Sequence, residues 1–139
     1  MYARLLQGSA VLLGLLMVTP AQAEDDKAAA LCGNAEARYV DMFGHPSAEA
    51  EGALVVKMYK YRFCPEELTV PVGTTVRWVN VDKRTSHTVH LNEAGEKESE
   101  RLFPEEDFEF TFLSAGSQQY LCGPHWETRK MIGMVTVTP

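Results

Sequence analysis

The chain has 139 residues, a formal net charge of −6 and a hydrophobic share of 45%. That length holds one modest core and leaves little room for a second folded domain. The acidic balance argues against nucleic acid as a partner, because phosphate backbones are bound by surplus Lys and Arg.

The N-terminus carries one positive charge, Arg4. An unbroken apolar run over residues 10–18 follows, then Ala21-Gln22-Ala23 and the acidic Glu24-Asp25-Asp26. This order reads as a secretory signal peptide: the run is too short to span a bilayer, and the small residues at 21 and 23 suit signal peptidase. Cleavage after Ala23 and a periplasmic location are therefore expected. No second long apolar run follows, so no membrane anchor is expected either.

Residues 24–52 are rich in Ala, Glu and Asp and read as an extension outside the core. Leu31, Ala35, Tyr39 and Val40 recur at roughly helical spacing, but Gly33 and Asn34 interrupt, so a short helix is expected. From residue 53 the texture changes. Residues 54–63, 68–70, 75–81, 108–112, 119–121 and 132–137 are short, β-branched or aromatic, and often alternate with polar positions, with Pro71, Gly73, Gly95, Pro104, Gly116 and Gly123 between them. Many short strands without a sustained helical pattern imply an all-β sandwich or barrel over residues 53–139. The charged stretch 92–107 reads as a solvated loop.

Three cysteines in an oxidising compartment leave at least one outside a disulfide. Cys122 sits in a loop with His125 and is the odd one, leaving Cys32 and Cys64 as the candidate pair. Their bridge would close a loop of about 30 residues and contribute about 3–4 kcal/mol on the chain-entropy account.

The chemistry concentrates in Cys122-Gly-Pro-His125 and the Met131 that follows, where a thiol, an imidazole and a thioether share one loop between two strands. A second imidazole is available from His87 in Thr85-Ser-His87-Thr-Val-His90. Two imidazoles and a thiolate in a trigonal set, with a weak axial thioether, favour copper over zinc or hard cations. His90 lies three residues beyond His87, so strand alternation turns it to the opposite face. Met42 and His45 in the extension could bind a second metal, although a turn histidine is the plainer reading.

The stretch from about Phe63 to Val137 resembles the cupredoxins, small type 1 copper proteins such as plastocyanin, pseudoazurin and amicyanin. Leu68-Thr-Val-Pro-Val-Gly-Thr-Thr-Val-Arg-Trp-Val-Asn80 precedes His87-Thr-Val-His, and a Tyr-x-Cys-x-Pro-His loop ends in Met131-Ile-Gly-Met-Val-Thr-Val. The resemblance implies a Greek-key sandwich binding one copper through His87, Cys122 and His125, with Met131 axial. Two features depart from the family. Five residues rather than four separate His125 from Met131, which leaves Met134 as an alternative whose place in the last strand suits a core methionine. Thr88 stands where many members carry Asn, and its hydroxyl would replace some of the bonding around the site.

Such a site implies a carrier of single electrons rather than an enzyme. A multicopper oxidase needs further His-rich motifs, and a binuclear copper centre needs two cysteines in the ligand loop. His125 is the implied electron exit, and a redox protein is expected to dock near His125 and Trp126 inside a rim of Lys83, Arg84, Arg129 and Lys130. A monomer is expected. The competing reading is a cupredoxin that handles surplus copper and confers copper tolerance; the alternative for Trp126 is that it packs inward.

Overall fold

In a computed structural model, which describes residues 19–139, two β-sheets face each other and one long helix lies against the outside of the larger. Residues 1–18, most of the expected signal peptide, lie outside the described residues.

The helix, α1 (Pro20–Phe43), is longer than the sequence suggests. Thr19 caps its start by accepting the Gln22 N–H, Pro20 occupies the first turn, and Gly44 ends it in the left-handed region, donating its N–H to Val40 at 2.8 Å. Gly33 and Asn34 do not break it, because both are exposed while Leu31, Cys32, Ala35, Tyr39 and Met42 on the other side pack against the sheet. A mid-helix glycine costs about 1 kcal/mol. Docking of that apolar face offsets the cost, and local spacing carries no information about docking.

The four-stranded sheet has the order β2-β1-β4-β5, and the three-stranded sheet β3-β7-β6. The strands are β1 (Leu54–Tyr59), β2 (Arg62–Cys64), β3 (Glu67–Pro71), β4 (Thr75–Asn80), β5 (Asp107–Thr111), β6 (Gly116–Leu121) and β7 (Ile132–Thr138). β1 pairs parallel with β4 and β3 parallel with β7; the other pairings are antiparallel. Val56, Met58, Val76, Trp78, Val70, Tyr120, Val135 and Val137 fill the space between the sheets. β1 is buried on both faces, since Val55 packs on the α1 side while Val56 and Met58 enter the sandwich.

Residues 54–63 are not one strand. The chain reverses at Lys60 and Tyr61, both at positive φ (47° and 64°), so β1 and β2 form a tight hairpin. No Gly or Asn marks this turn, and it places Tyr61 at the same end as the histidines.

The expected Cys32–Cys64 disulfide is formed, joining α1 to β2. Glu36 of α1 also meets Lys57 of β1 at 2.8 Å, and Ser47 bonds to both side chains. Lys57 is only 8% exposed, so this ion pair lies inside the helix–sheet interface.

Candidate metal centre

Two loops at one end of the sandwich, the one between β4 and β5 and the one between β6 and β7, bring together His87, Cys122 and His125, whose donor atoms all lie within 4.8 Å of one another. His87 follows β4 and is held by backbone bonds in both directions with Leu102 (3.0 and 2.8 Å). Cys122 follows β6, and His125 opens the helical turn α2 (Trp126–Arg129), accepting the Arg129 N–H at 3.0 Å. The Cys122 Sγ lies 3.8 Å from His87 Nδ1 and 3.4 Å from His125 Nδ1. One ion bonded at about 2 Å to each donor can bridge such separations.

The donor set suits copper: a thiol sulfur and two imidazole nitrogens, with a carboxylate bonded to the other nitrogen of one ring. That carboxylate is Asp82, 2.7 Å from His87 Nε2. It occupies one ring nitrogen and leaves Nδ1 facing the sulfur, the arrangement by which a neighbouring acceptor fixes a ligand's tautomer. Burial pulls the His87 imidazole down, but Asp82 and Cys122 outweigh it and raise its pKa. His125 shifts the other way, lowered by burial and then by His87, Arg101 and Arg129.

Cys122 and His87 are wholly buried and His125 is half-buried, so one imidazole reaches the surface. Met131 is wholly buried next to the site, its carbonyl accepting the Cys122 N–H at 3.1 Å. The longer His125-to-Met131 spacing is absorbed by α2, which closes with Lys130 at φ 56°. Met134 is not the core residue expected of it: it is half-exposed on β7, in register with Gln119 and Glu67. His90 is outside the cluster and lines a surface groove with Glu98, Arg101 and Trp126. His45 packs edge-on against Tyr39 (5.7 Å), with Nδ1 2.9 Å from the Pro46 carbonyl.

Three neighbours escaped the sequence reading. Asp82 lies five residues before His87, and nothing local shows that the chain folds it back. Tyr61 stands edge-on to His125 (4.9 Å) and His87 (6.3 Å), with the Arg129 guanidinium 4.5 Å over its ring. Glu98, from the charged loop expected only to be solvated, accepts the Thr88 hydroxyl at 2.6 Å. The Thr88 Oγ1 in turn accepts the Gly123 N–H (3.0 Å), and the Thr88 N–H points at the Cys122 sulfur (3.4 Å). A side chain at Gly123 would strike the Glu98 carboxylate, with a Cβ 2.0 Å from its Oε1.

Fold and donor set define a cupredoxin. Residues 50–138 match the family of copper binding proteins, plastocyanin/azurin family, and the chain belongs to it, with one copper as its cofactor. Among relatives, the amicyanin of Paracoccus denitrificans is 38% identical over 81 residues, 55% of this chain and 60% of that protein. The amicyanin of Paracoccus versutus is 34% identical over 77 residues, 52% of this chain and 58% of that one. The matched stretch thus spans less than two thirds of either relative. The reduced Cu(I) form of a proline-to-glycine mutant of amicyanin superposes with a TM-score of 0.57 at 36% identity, covering 66% of this chain and 89% of that one.

Proposed function

We propose that this protein is a periplasmic carrier of single electrons, with His87, Cys122, His125 and Met131 as its copper ligands. The reading is carried by one observation: a buried thiol stands between two imidazoles, only one of which reaches the surface. Copper in this set supplies a one-electron couple that needs little rearrangement of its ligands.

The chain's own residues do the rest. Asp82 holds the His87 ring in one orientation, and the Thr88 N–H directs a dipole at the sulfur. Met131, buried beside the thiol, would offer a weak thioether ligand to the copper. His125 presents its edge to a partner, and Trp126, 39% exposed, offers that partner an apolar contact. Lys83, Arg84, Arg129 and Lys130 are exposed, and in this reading they form a charged rim that would steer an acidic redox protein toward this end of an otherwise acidic molecule.

Residues 1–23 serve as the export signal in this reading, 24–52 as an extension and 53–139 as the cupredoxin domain. Cleavage after Ala23 cuts within the first turn of α1 and leaves Glu24, Asp25 and Asp26 at its new N-terminus, where acidic side chains favour the helix dipole.

The test is a Cu(II) titration of the mature chain. An intense visible band should saturate at one equivalent and be absent from Cys122→Ser; colourless binding would sink the ligand assignment. A deletion strain separates the carrier from the copper-tolerance reading: slowed electron flow with unchanged copper sensitivity supports carriage, and the reverse pattern supports tolerance.

A further inference from the structure

The family match begins at residue 50, after α1 has ended, yet α1 reaches toward the ligand end. Arg38 donates its Nε–H to the Val81 carbonyl at 2.5 Å. Val81 is fully buried and its N–H is already given to Met58 (3.1 Å), so Arg38 supplies a partner to a carbonyl shielded from water.

That carbonyl and the Asp82 N–H belong to one planar peptide unit. Arg38 holds its oxygen, and the Asn80 side chain accepts its N–H at 2.9 Å. Asn80 is itself anchored, donating to the carbonyls of Thr85 (2.8 Å) and Leu102 (3.0 Å). With the plane held at both ends, Asp82 leaves it in a set direction. Its carboxylate meets His87 Nε2 at 2.7 Å and accepts the Lys60 N–H at 3.1 Å.

We propose that Arg38 is a positioning residue for the metal centre: by fixing the Val81–Asp82 peptide it aims Asp82 at His87, so that α1 sets the orientation of the first imidazole. The disulfide at Cys32 and the Glu36–Lys57 pair keep Arg38 in reach. The consequence for copper rests on the reading of His87 as a ligand. The effect on the ring does not.

The test uses the full mature chain with its disulfide intact. Arg38→Met keeps the stem and removes the donors, while Arg38→Lys keeps a donor. In copper-free protein, exchange of the His87 Nε2 proton with solvent, read by NMR, should be about tenfold faster in Arg38→Met and partly restored in Arg38→Lys. In copper-loaded protein, Cu(II) affinity should fall by about threefold or more. In an Asp82→Asn background, Arg38→Met should add no further loss. Lower thermal stability with ring exchange and affinity as in wild type would make Arg38 a helix anchor and overturn the proposal; additive losses beside Asp82→Asn would overturn the route. If Arg38→Met does not fold, Arg38→Lys decides: intermediate ring exchange supports the proposal, and wild-type exchange overturns it. A wild-type chain that takes up no copper defeats the functional reading instead, and ring exchange still judges Arg38.

Discussion

The helix flank and the metal end both rest on β4 and the residues just after it, but they are held together by different means. Along the flank, α1 is tied to the sheet by the Cys32–Cys64 bond, the Glu36–Lys57 pair and a buried apolar strip. At the metal end, the three donors come from two loops placed by a few hydrogen bonds, among them Asp82 to His87, the Thr88 N–H to the sulfur and the Thr88 hydroxyl to Glu98. A covalent tie tolerates local error. A donor set does not, because its chemistry depends on shifts of tenths of an ångström. The difference predicts that each region can be damaged while the other persists.

The largest effect is at the metal end. Cys122→Ser should remove the visible band completely and leave α1 protected from hydrogen exchange as in wild type; loss of helix protection would show the regions to be one cooperative unit. Next comes the flank, where replacing Cys32 and Cys64 together by Ser should lower unfolding stability by about 3–4 kcal/mol. That variant should still bind copper with an intense band.

Glu36→Gln should cost less, about 2 kcal/mol in denaturant unfolding. It strands the Lys57 ammonium in a nearly closed interface, although Glu36 itself is partly exposed. Acid acts on the same pair. Burial pushes the Glu36 carboxyl up, but Lys57 and Ser47 outweigh it and bring it down to about 2 from 4.5. Because the folded value is depressed, this stabilisation is present above pH 4.5 and lost as pH falls toward 2, an effect of about 1–2 kcal/mol after allowance for exposure. Protection factors along α1, which correct for the intrinsic pH dependence of amide exchange, should therefore fall through that window in wild type and less so in Glu36→Gln. Met131→Leu should have the smallest effect on stability: copper stays bound and the reduction potential shifts. An unchanged potential would remove Met131 from the ligand set.

Much of the sandwich was legible because strand alternation is local, and the hairpin was missed because Lys60 and Tyr61 adopt a turn that neither residue type announces. The proposed ligands were legible for a related reason. Thiol, imidazole and thioether are rare soft donors, and the Cys122-to-Met131 loop gathers three of them within ten residues. The departure at Thr88 was legible as a question, and the structure answers it with Glu98, from a loop whose charges alone suggested only solvation.

From sequence alone came what depends on residue type and short spacing: the strand-rich domain, the proposed donor residues, the odd cysteine and the charge. Tertiary structure decided what depends on distant groups meeting. α1 runs through Gly33 and Asn34 because a sheet waits for its apolar face, and Lys57 can be buried because Glu36 arrives from a different element. Asp82 reaches His87 through a folded-back loop. Local preference is written residue by residue, whereas the energy of these contacts exists only once the chain has closed around them.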